Sequence, residues 1–219
     1  MTKSVKTAVV LGKGELAVRV CEWFRSSEDH ELIAVVPVVP EPTWTTSLID
    51  WTLANDVPHV QSGKVQDLST VIGDRRIDLA ISVFYDKILA PWFIDSCGRI
   101  LNIHNGPLPR YQGVSPINWA LKNGEIEHGV TIHELTAGID SGPIVSQLKF
   151  SIYPEIDEVI DVYNRALEYG WVLFCQTMPM LDRITPRPQD PSLALYYSRK
   201  QDELLGDRRG FTRQTAVSA

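Results

Sequence analysis

Residues 102–119 read Asn-Ile-His-Asn-Gly-Pro-Leu-Pro-Arg-Tyr-Gln-Gly-Val-Ser-Pro-Ile-Asn-Trp, and residues 129–147 read Gly-Val-Thr-Ile-His-Glu-Leu-Thr-Ala-Gly-Ile-Asp-Ser-Gly-Pro-Ile-Val-Ser-Gln. Asn102 and His104 close an apolar, strand-like run, Arg99 to His104. Residues two apart in a strand project to the same face, so the two polar groups point together. Asn105-Gly106-Pro107 turns the chain at once and leaves the strand end open to a ligand. In the second block Val130 to His133 alternates like a strand, and Thr136 to Gly142 reads as a loop with Asp140 between Gly138 and Gly142. If the two strands share a sheet, Asp140 is within reach of His104. Taken singly, a strand-end Asn is a turn former, a lone His is structural and an Asp between glycines makes an Asx-turn. Taken together, an amide donor, an imidazole and a carboxylate suit acyl transfer: an oxyanion stabiliser, a proton shuttle and a group that orients or charges the shuttle.

Outward from this centre, the N-terminal half has the rhythm of parallel βαβ units. Val5 to Leu11 is a continuous apolar run, as in a strand buried on both faces. Gly12-Lys13-Gly14 leads into a helix from Glu15 to Ser26, with Leu16, Val20, Trp23 and Phe24 on one side. Strands are expected at Leu32 to Val39, Pro58 to Val60 and Leu79 to Val83, and helices at Trp44 to Asn55, Val65 to Ile72 and Pro91 to Ser96. Beyond residue 104 the pattern gives a helix from Ser115 to Asn123, stopped by Gly124, strands at Glu127 to His133 and Pro143 to Ile152, and a long amphipathic helix from Ile156 to Leu181. From Thr185 the chain turns Pro-rich and aperiodic. The division expected is a catalytic domain over residues 1–184 and a short C-terminal extension over residues 185–219.

The composition narrows the classes. Net charge is −6 with no basic tract, which argues against nucleic acid as the main partner. Cys21, Cys97 and Cys175 are odd in number and widely spaced, matching neither a disulfide framework nor a metal site, so no metal is expected. Met-Thr-Lys-Ser runs into a short strand and not into a signal sequence, and no run approaches the ~18 apolar residues of a membrane helix. A cytoplasmic protein with no membrane partner is expected. Tyr169 and Trp171 fit a homodimer interface and core packing equally well.

Gly12-Lys13-Gly14 with Ala17 in the third position also invites a dinucleotide reading. The acidic residue expected after the second strand is at best Glu41, displaced by two prolines. A tight strand-to-helix turn is the better reading, with phosphate at the helix N-terminus as the alternative.

The string as a whole resembles the formyltransferases that use 10-formyltetrahydrofolate. Their pattern is Asn-x-His, Leu-Pro-x-x-x-Gly-x-x-Pro, Gly-Val-Thr-x-His, Asp-x-Gly-x-Ile and a Gln. Here it falls on Asn102, His104, Leu108-Pro109, Gly113, Pro116, Gly129-Val130-Thr131, His133, Asp140, Gly142, Ile144 and Gln147. The resemblance spans about residues 78–150, with weaker agreement from residue 5. It implies a Rossmann-like α/β fold, a mainly parallel twisted sheet flanked by helices, and a catalytic trio at Asn102, His104 and Asp140.

The resemblance also implies that folate lies between the loop Phe84-Tyr85-Asp86-Lys87-Ile88-Leu89 and the loop carrying Thr136, Gly138, Ile139 and Asp140. An apolar slot with unpaired backbone groups suits a flat pterin. Among the acceptor branches, the glycinamide ribonucleotide enzymes carry a Gly-Ser-Asn-Leu phosphate loop where this chain has Gly14-Glu15-Leu16-Ala17, and Glu15 repels phosphate. The methionyl-tRNA branch carries a C-terminal barrel and a basic surface, and this chain is short and acidic. The branch acting on nucleotide-linked amino sugars shows Leu-Pro-x-Tyr-x-Gly-x-x-Pro-x-Asn-Trp. That places substrate contacts at Pro109, Arg110, Tyr111, Gln112, Gly113, Asn118 and Trp119, with Tyr197 and Arg199 from the tail, beside Tyr196 and Lys200. Aromatic rings for the base and cations for the diphosphate are the expected recognition, against simple packing of the tail aromatics. The partner expected is a nucleotide-linked amino deoxysugar, with the dTDP form first. A non-catalytic folate-binding protein and a formate-releasing hydrolase are the readings from other classes.

Overall fold

The computed structural model describes residues 4–206 and divides the chain into two compact units. One unit runs to His104 and takes in Ile132–Gly138; the other holds Asn105–Thr131 and the described residues from Ile139 on. The end of the expected extension, residues 207–219, lies outside the described residues, as do Met1 to Lys3.

The first unit is the parallel α/β layer foreseen from the βαβ rhythm. Its elements are β1 (Lys6–Gly12), α1 (Gly14–Ser26), β2 (His30–Pro37), α2 (Leu48–Ala54), a 3-10 turn Val65–Asp67, α3 (Ser69–Ile72), β3 (Ile77–Val83), α4 (Pro91–Ser96) and β4 (Cys97–His104). These strands lie in the order β2-β1-β3-β4, and all three pairings are parallel. Their apolar runs are buried because helices cover the sheet: Val9, Leu11, Ala34, Val36, Ala80 and Ile100 form one core with Leu68, Leu89 and Phe93. Cys21 is buried in α1 and Cys97 half-buried at the start of β4, both as free thiols.

Three expected elements of this unit come out differently. Pro58 to Val60 makes one bridge, Val35 with His59, and no strand. Pro58 has no N–H to extend a ladder, and Val60 is followed by a turn that closes with the Gly63 N–H on the Val60 carbonyl. The helix expected from Trp44 begins only at Leu48. Ser47 Oγ accepts the Asp50 N–H there, and the Glu41 carboxylate accepts the N–H groups of Leu48 and Ile49. The helix expected over Val65 to Ile72 splits into the 3-10 turn and α3.

The second unit contains β5 (Gln112–Gly113), α5 (Pro116–Lys122), β6 (Glu127–Glu134) as far as Thr131, β7 (Ile144–Ser151), α6 (Val159–Thr177), 3-10 segments at Met178–Arg183, Pro191–Leu193 and Arg199–Leu205, and β8 (Tyr196–Tyr197). Helix α6 is shorter than expected at both ends. A capping box between Glu158 and Asp161 starts it, and Pro179, which cannot donate to the preceding turn, converts its end to 3-10 geometry. Tyr169 stacks on Phe150 at 4.7 Å and Trp171 on Phe174 at 5.9 Å, which is the packing alternative for both rings. Strand β8 pairs in parallel with β5, Gln112 opposite Tyr196 and Gly113 opposite Tyr197, and Ile144 bridges Arg187. The described part of the segment after Thr185 thus has fixed partners despite its lack of periodicity. Among the described residues no helix is long and apolar enough to cross a membrane.

Candidate active site

Strand β4 ends at the edge where chemistry is expected in a parallel sheet, the carboxyl ends of the strands. In its register Asn102 lies opposite Ser82 of β3. His104 is 6% exposed. The end of β6 comes alongside: the Leu135 N–H donates to the Ile100 carbonyl at 3.0 Å, and Arg99 pairs with Glu134 at 3.0 Å. This brings in a residue to which the motif reading assigned no role. His133 is fully buried, with Nε2 3.1 Å from Asn102 Nδ2 and Nδ1 2.9 Å from the Glu134 carbonyl oxygen. A carbonyl only accepts, so Nδ1 carries the imidazole proton and Nε2 must accept from the Asn102 amide. One bond therefore fixes both the tautomer of His133 and the flip of Asn102. The His104 ring stands edge-on to His133, centroids 6.3 Å apart. The signal in sequence was the alternation Thr131-Ile132-His133, which puts an imidazole on one face of a strand.

Asp140 belongs to the second unit and takes a left-handed backbone, φ 49°. Aspartate tolerates that region because its short side chain bonds locally. Its Oδ2 accepts the Gly113 N–H at 2.9 Å. Gly113 itself has φ 90°, and a Cβ there would stand 2.1 Å from the Tyr197 carbonyl oxygen.

The loop expected to meet folate lines a cavity of about 520 Å³ with Lys64, Val65, Gln66, Asp67, Tyr85, Lys87 and Ile88. Tyr85 Oη and Lys87 Nζ both donate to the Gly63 carbonyl, at 2.8 and 2.7 Å, which anchors two of the walls. Burial, with Asp86 beside it, pushes the Tyr85 hydroxyl up to about 12, so it stays a neutral donor. Ile88 is 83% exposed at the rim, while Leu89 turns into the core. Phe84 carries a left-handed φ of 55°, and Asp86 is exposed. Thr136, Gly138 and Ile139 are exposed, and the first two are not among the residues lining this cavity. The size and the mixture of apolar wall and ammonium groups suit a flat ligand with an anionic tail.

The residues expected at a nucleotide-sugar gather in the second unit, several of them in mutual contact. Tyr111 is 1% exposed, donates from its hydroxyl to Glu125 at 2.6 Å, and stacks on Tyr197 at 5.9 Å. Trp119 stacks on the same ring, Tyr197, at 4.2 Å and 12°. Asn123 Nδ2 donates to both tyrosine hydroxyls. Burial pushes the Tyr111 hydroxyl up to about 12, with its bond to Glu125 adding to the effect. These three rings pack on one another, which is the packing alternative for Tyr197. Arg110 pairs with Glu125 and follows the cis peptide Leu108–Pro109. Gln112 is buried, Asn118 is half-buried on α5, and Tyr196, Arg199 and Lys200 are exposed.

The glycine turn after β1 has a packing cause. A Cβ on Gly12 would lie 2.0 Å from the Val83 carbonyl oxygen, and one on Gly14 would lie 2.8 Å from Thr45 Oγ1. Glu41 is spent on the N-terminus of α2, with Ser47 Oγ donating to it at 2.5 Å. The turn serves close packing, and Glu41 is not poised for a ribose. Among the described residues no cluster of His, Cys, Asp and Glu could hold a metal ion.

Comparison with known proteins identifies the family. A methionyl-tRNA formyltransferase from Pelobacter propionicus is 33% identical over 152 residues, 66% of this chain and 46% of that protein. One from Deinococcus radiodurans is 34% identical over 140 residues, 64% and 43% of the two chains. The chain spans about half the length of the curated relatives it matches. Among solved structures, an N-formyltransferase from Helicobacter canadensis in complex with folinic acid and dTDP-3-aminofucose superposes with a TM-score of 0.75 at 25% identity, covering 90% of this chain and 72% of its own. WlaRD, a sugar 3N-formyl transferase solved with dTDP and 5-N-formyl-THF, gives 0.78 at 26% identity, covering 94% and 73%. The sequence pattern described by the Formyl transferase family runs from residue 8 to residue 178, and this chain belongs to that family.

Proposed function

We propose that the chain transfers the formyl group of 10-formyltetrahydrofolate to the amine of a nucleotide-linked amino deoxysugar. The observation that carries formyl transfer is the amide of Asn102, held in one flip by His133, two residues from the buried imidazole of His104 at the end of β4. The neutral amine attacks the formyl carbon, a C–N bond forms, and the carbonyl electron pair moves to oxygen. Asn102 and protonated His104 stabilise that oxyanion by hydrogen bonding. Asp140 favours the charged imidazole and takes the amine proton, directly or through water. Collapse re-forms the carbonyl and breaks the bond between the formyl carbon and the folate nitrogen, which leaves with the proton given up by the His104 imidazolium. The cavity lined by Val65, Tyr85, Lys87 and Ile88 supports the folate assignment, with Lys64 and Lys87 as partners for its carboxylates. No metal enters these steps.

The amino-sugar acceptor is supported by the two structural relatives named for that chemistry. Formylation of methionyl-tRNA is the second reading, because the sequence relatives bear that name. The net charge of −6 makes a polyanion the poorer ligand. A mass-spectrometric screen tests the choice. It offers dTDP- and UDP-linked 3-amino and 4-amino deoxysugars, glycinamide ribonucleotide and methionyl-tRNA with 10-formyltetrahydrofolate. Gain of one formyl group by an amino-sugar nucleotide is expected, the dTDP form first. Efficient formylation of either other acceptor, with none of any amino sugar, overturns the acceptor assignment.

A further inference from the structure

The loop that carries Asp140 is held from behind by a side chain of the C-terminal segment. Gln189 Nε2 donates one proton to the Asp140 carbonyl and the other to the Gly142 carbonyl, both at 2.7 Å. Gln189 Oε1 accepts from Gln112 Nε2 at 3.0 Å, and Gln112 Nε2 also lies 3.4 Å from the Asp140 carbonyl oxygen. The backbone on either side of Gln189 is pinned. Ile144 and Arg187 exchange two N–H to carbonyl bonds of 2.7 and 2.8 Å, and the Gln112 N–H donates to the Leu195 carbonyl at 2.8 Å. One amide nitrogen therefore staples two carbonyls that lie two residues apart, the first of them on Asp140, which is itself in the left-handed region. The direction of the Asp140 carboxylate follows from the rotation of that backbone, and its Oδ2 meets the Gly113 N–H at 2.9 Å.

We propose that Gln189 is a positioning residue for the reaction: its side-chain amide fixes the backbone of Asp140 and Gly142, and so aims the Asp140 carboxylate. The proposal rests on the reading of Asp140 as the carboxylate of formyl transfer. Space filling does not account for Gln189, because a methionine would occupy the same volume without either donor. A misplacement of about 1 Å in a reacting group costs roughly 10²-fold in rate, so the staple matters to turnover more than to folding. Gln189 is only half-buried, and its loss leaves the core untouched.

The test compares Gln189→Met, which keeps volume and loses every hydrogen bond, with Gln189→Glu, which keeps the acceptor for Gln112 and loses both donors. Two readouts are taken on the full chain. One is kcat and KM with 10-formyltetrahydrofolate and the acceptor found by the screen. The other is hydrogen exchange of the Gly113 amide, which reports whether the Asp140 carboxylate is in place. In both variants kcat is expected to fall roughly 10–100-fold, with KM for 10-formyltetrahydrofolate held within about threefold and Gly113 exchanging about tenfold faster. A folded variant with wild-type kcat and wild-type Gly113 exchange overturns the proposal, and so does a change in one readout without the other. Should Gln189→Met not fold, Gln189→Glu carries the test. If the wild-type chain formylates no acceptor, the functional reading fails, while Gly113 exchange still decides whether Gln189 aims Asp140.

Discussion

Asn102 Nδ2 lies 3.1 Å from His133 Nε2, and the Glu134 carbonyl, 2.9 Å from the other ring nitrogen, dictates which of the two is the donor. The amide of Asn102 is thereby held in one of its two flips by a residue on another strand. Asn102→Ala should lower turnover ~10²–10³-fold, the usual loss for an oxyanion donor. His133→Phe keeps the ring and removes the acceptor, and should cost about tenfold, near 1.4 kcal/mol. Because His133 acts through Asn102, the two losses should not add: in the Asn102→Ala background His133→Phe should change kcat by less than about twofold. Steady-state kinetics on the four proteins measures this, and full additivity would show that His133 has no part in orienting the amide.

The cavity beside Tyr85 makes a prediction about the folate. Lys64→Glu and Lys87→Glu each place a carboxylate where an anionic tail is expected. Each should raise KM for 10-formyltetrahydrofolate roughly tenfold, with kcat changed little, since the contact is made equally in ground and transition states. Unchanged KM in both variants would remove this cavity from the folate site.

Gly12→Ala tests the packing account of the glycine turn. With φ 150° and the Val83 carbonyl oxygen 2.0 Å from the added Cβ, β1 and β3 cannot keep their spacing. A loss of about 3 kcal/mol or more is expected in urea unfolding. A variant as stable as the parent would reopen the reading of that turn as a ligand site.

Burial pulls the Asp157 carboxyl upward, but two bonds from Arg165, both 2.9 Å, and one from the Tyr153 N–H hold it below the usual carboxylate range. A depressed folded value means the contribution is present above the unfolded value near 4 and is lost as pH falls through the folded one. Asp157→Asn should therefore cost about 1–2 kcal/mol at neutral pH, with the gap to wild type closing below pH ~4. A gap independent of pH between neutrality and acid would show that the ion pair contributes nothing.

What was legible in the sequence follows the range of the forces involved. Asn102 and His104 could be placed on one face from period-two alternation alone, and the parallel character of the sheet follows from apolar runs alternating with helices. The link from Asn102 to His133 joins residues on separate strands and depends on register, which local pattern does not carry. Pro58 to Val60 was overread because its composition suits a strand while its proline denies it a ladder. Gly12 invited a phosphate because a tight turn and a close backbone approach ask for the same residue. The segment around Gln189 shows no periodicity, since its order comes from bonds to Asp140, Gly142 and Ile144 some forty residues earlier.

The central claim is that the end of β4 performs formyl transfer, and turnover of His104→Ala tests it most directly. The measurement is the rate of formyl gain by the best acceptor with 10-formyltetrahydrofolate, on variant protein whose thermal unfolding matches that of the wild type. A fall of at least ~10²-fold is predicted. Near-normal turnover in well-folded His104→Ala protein would contradict the account.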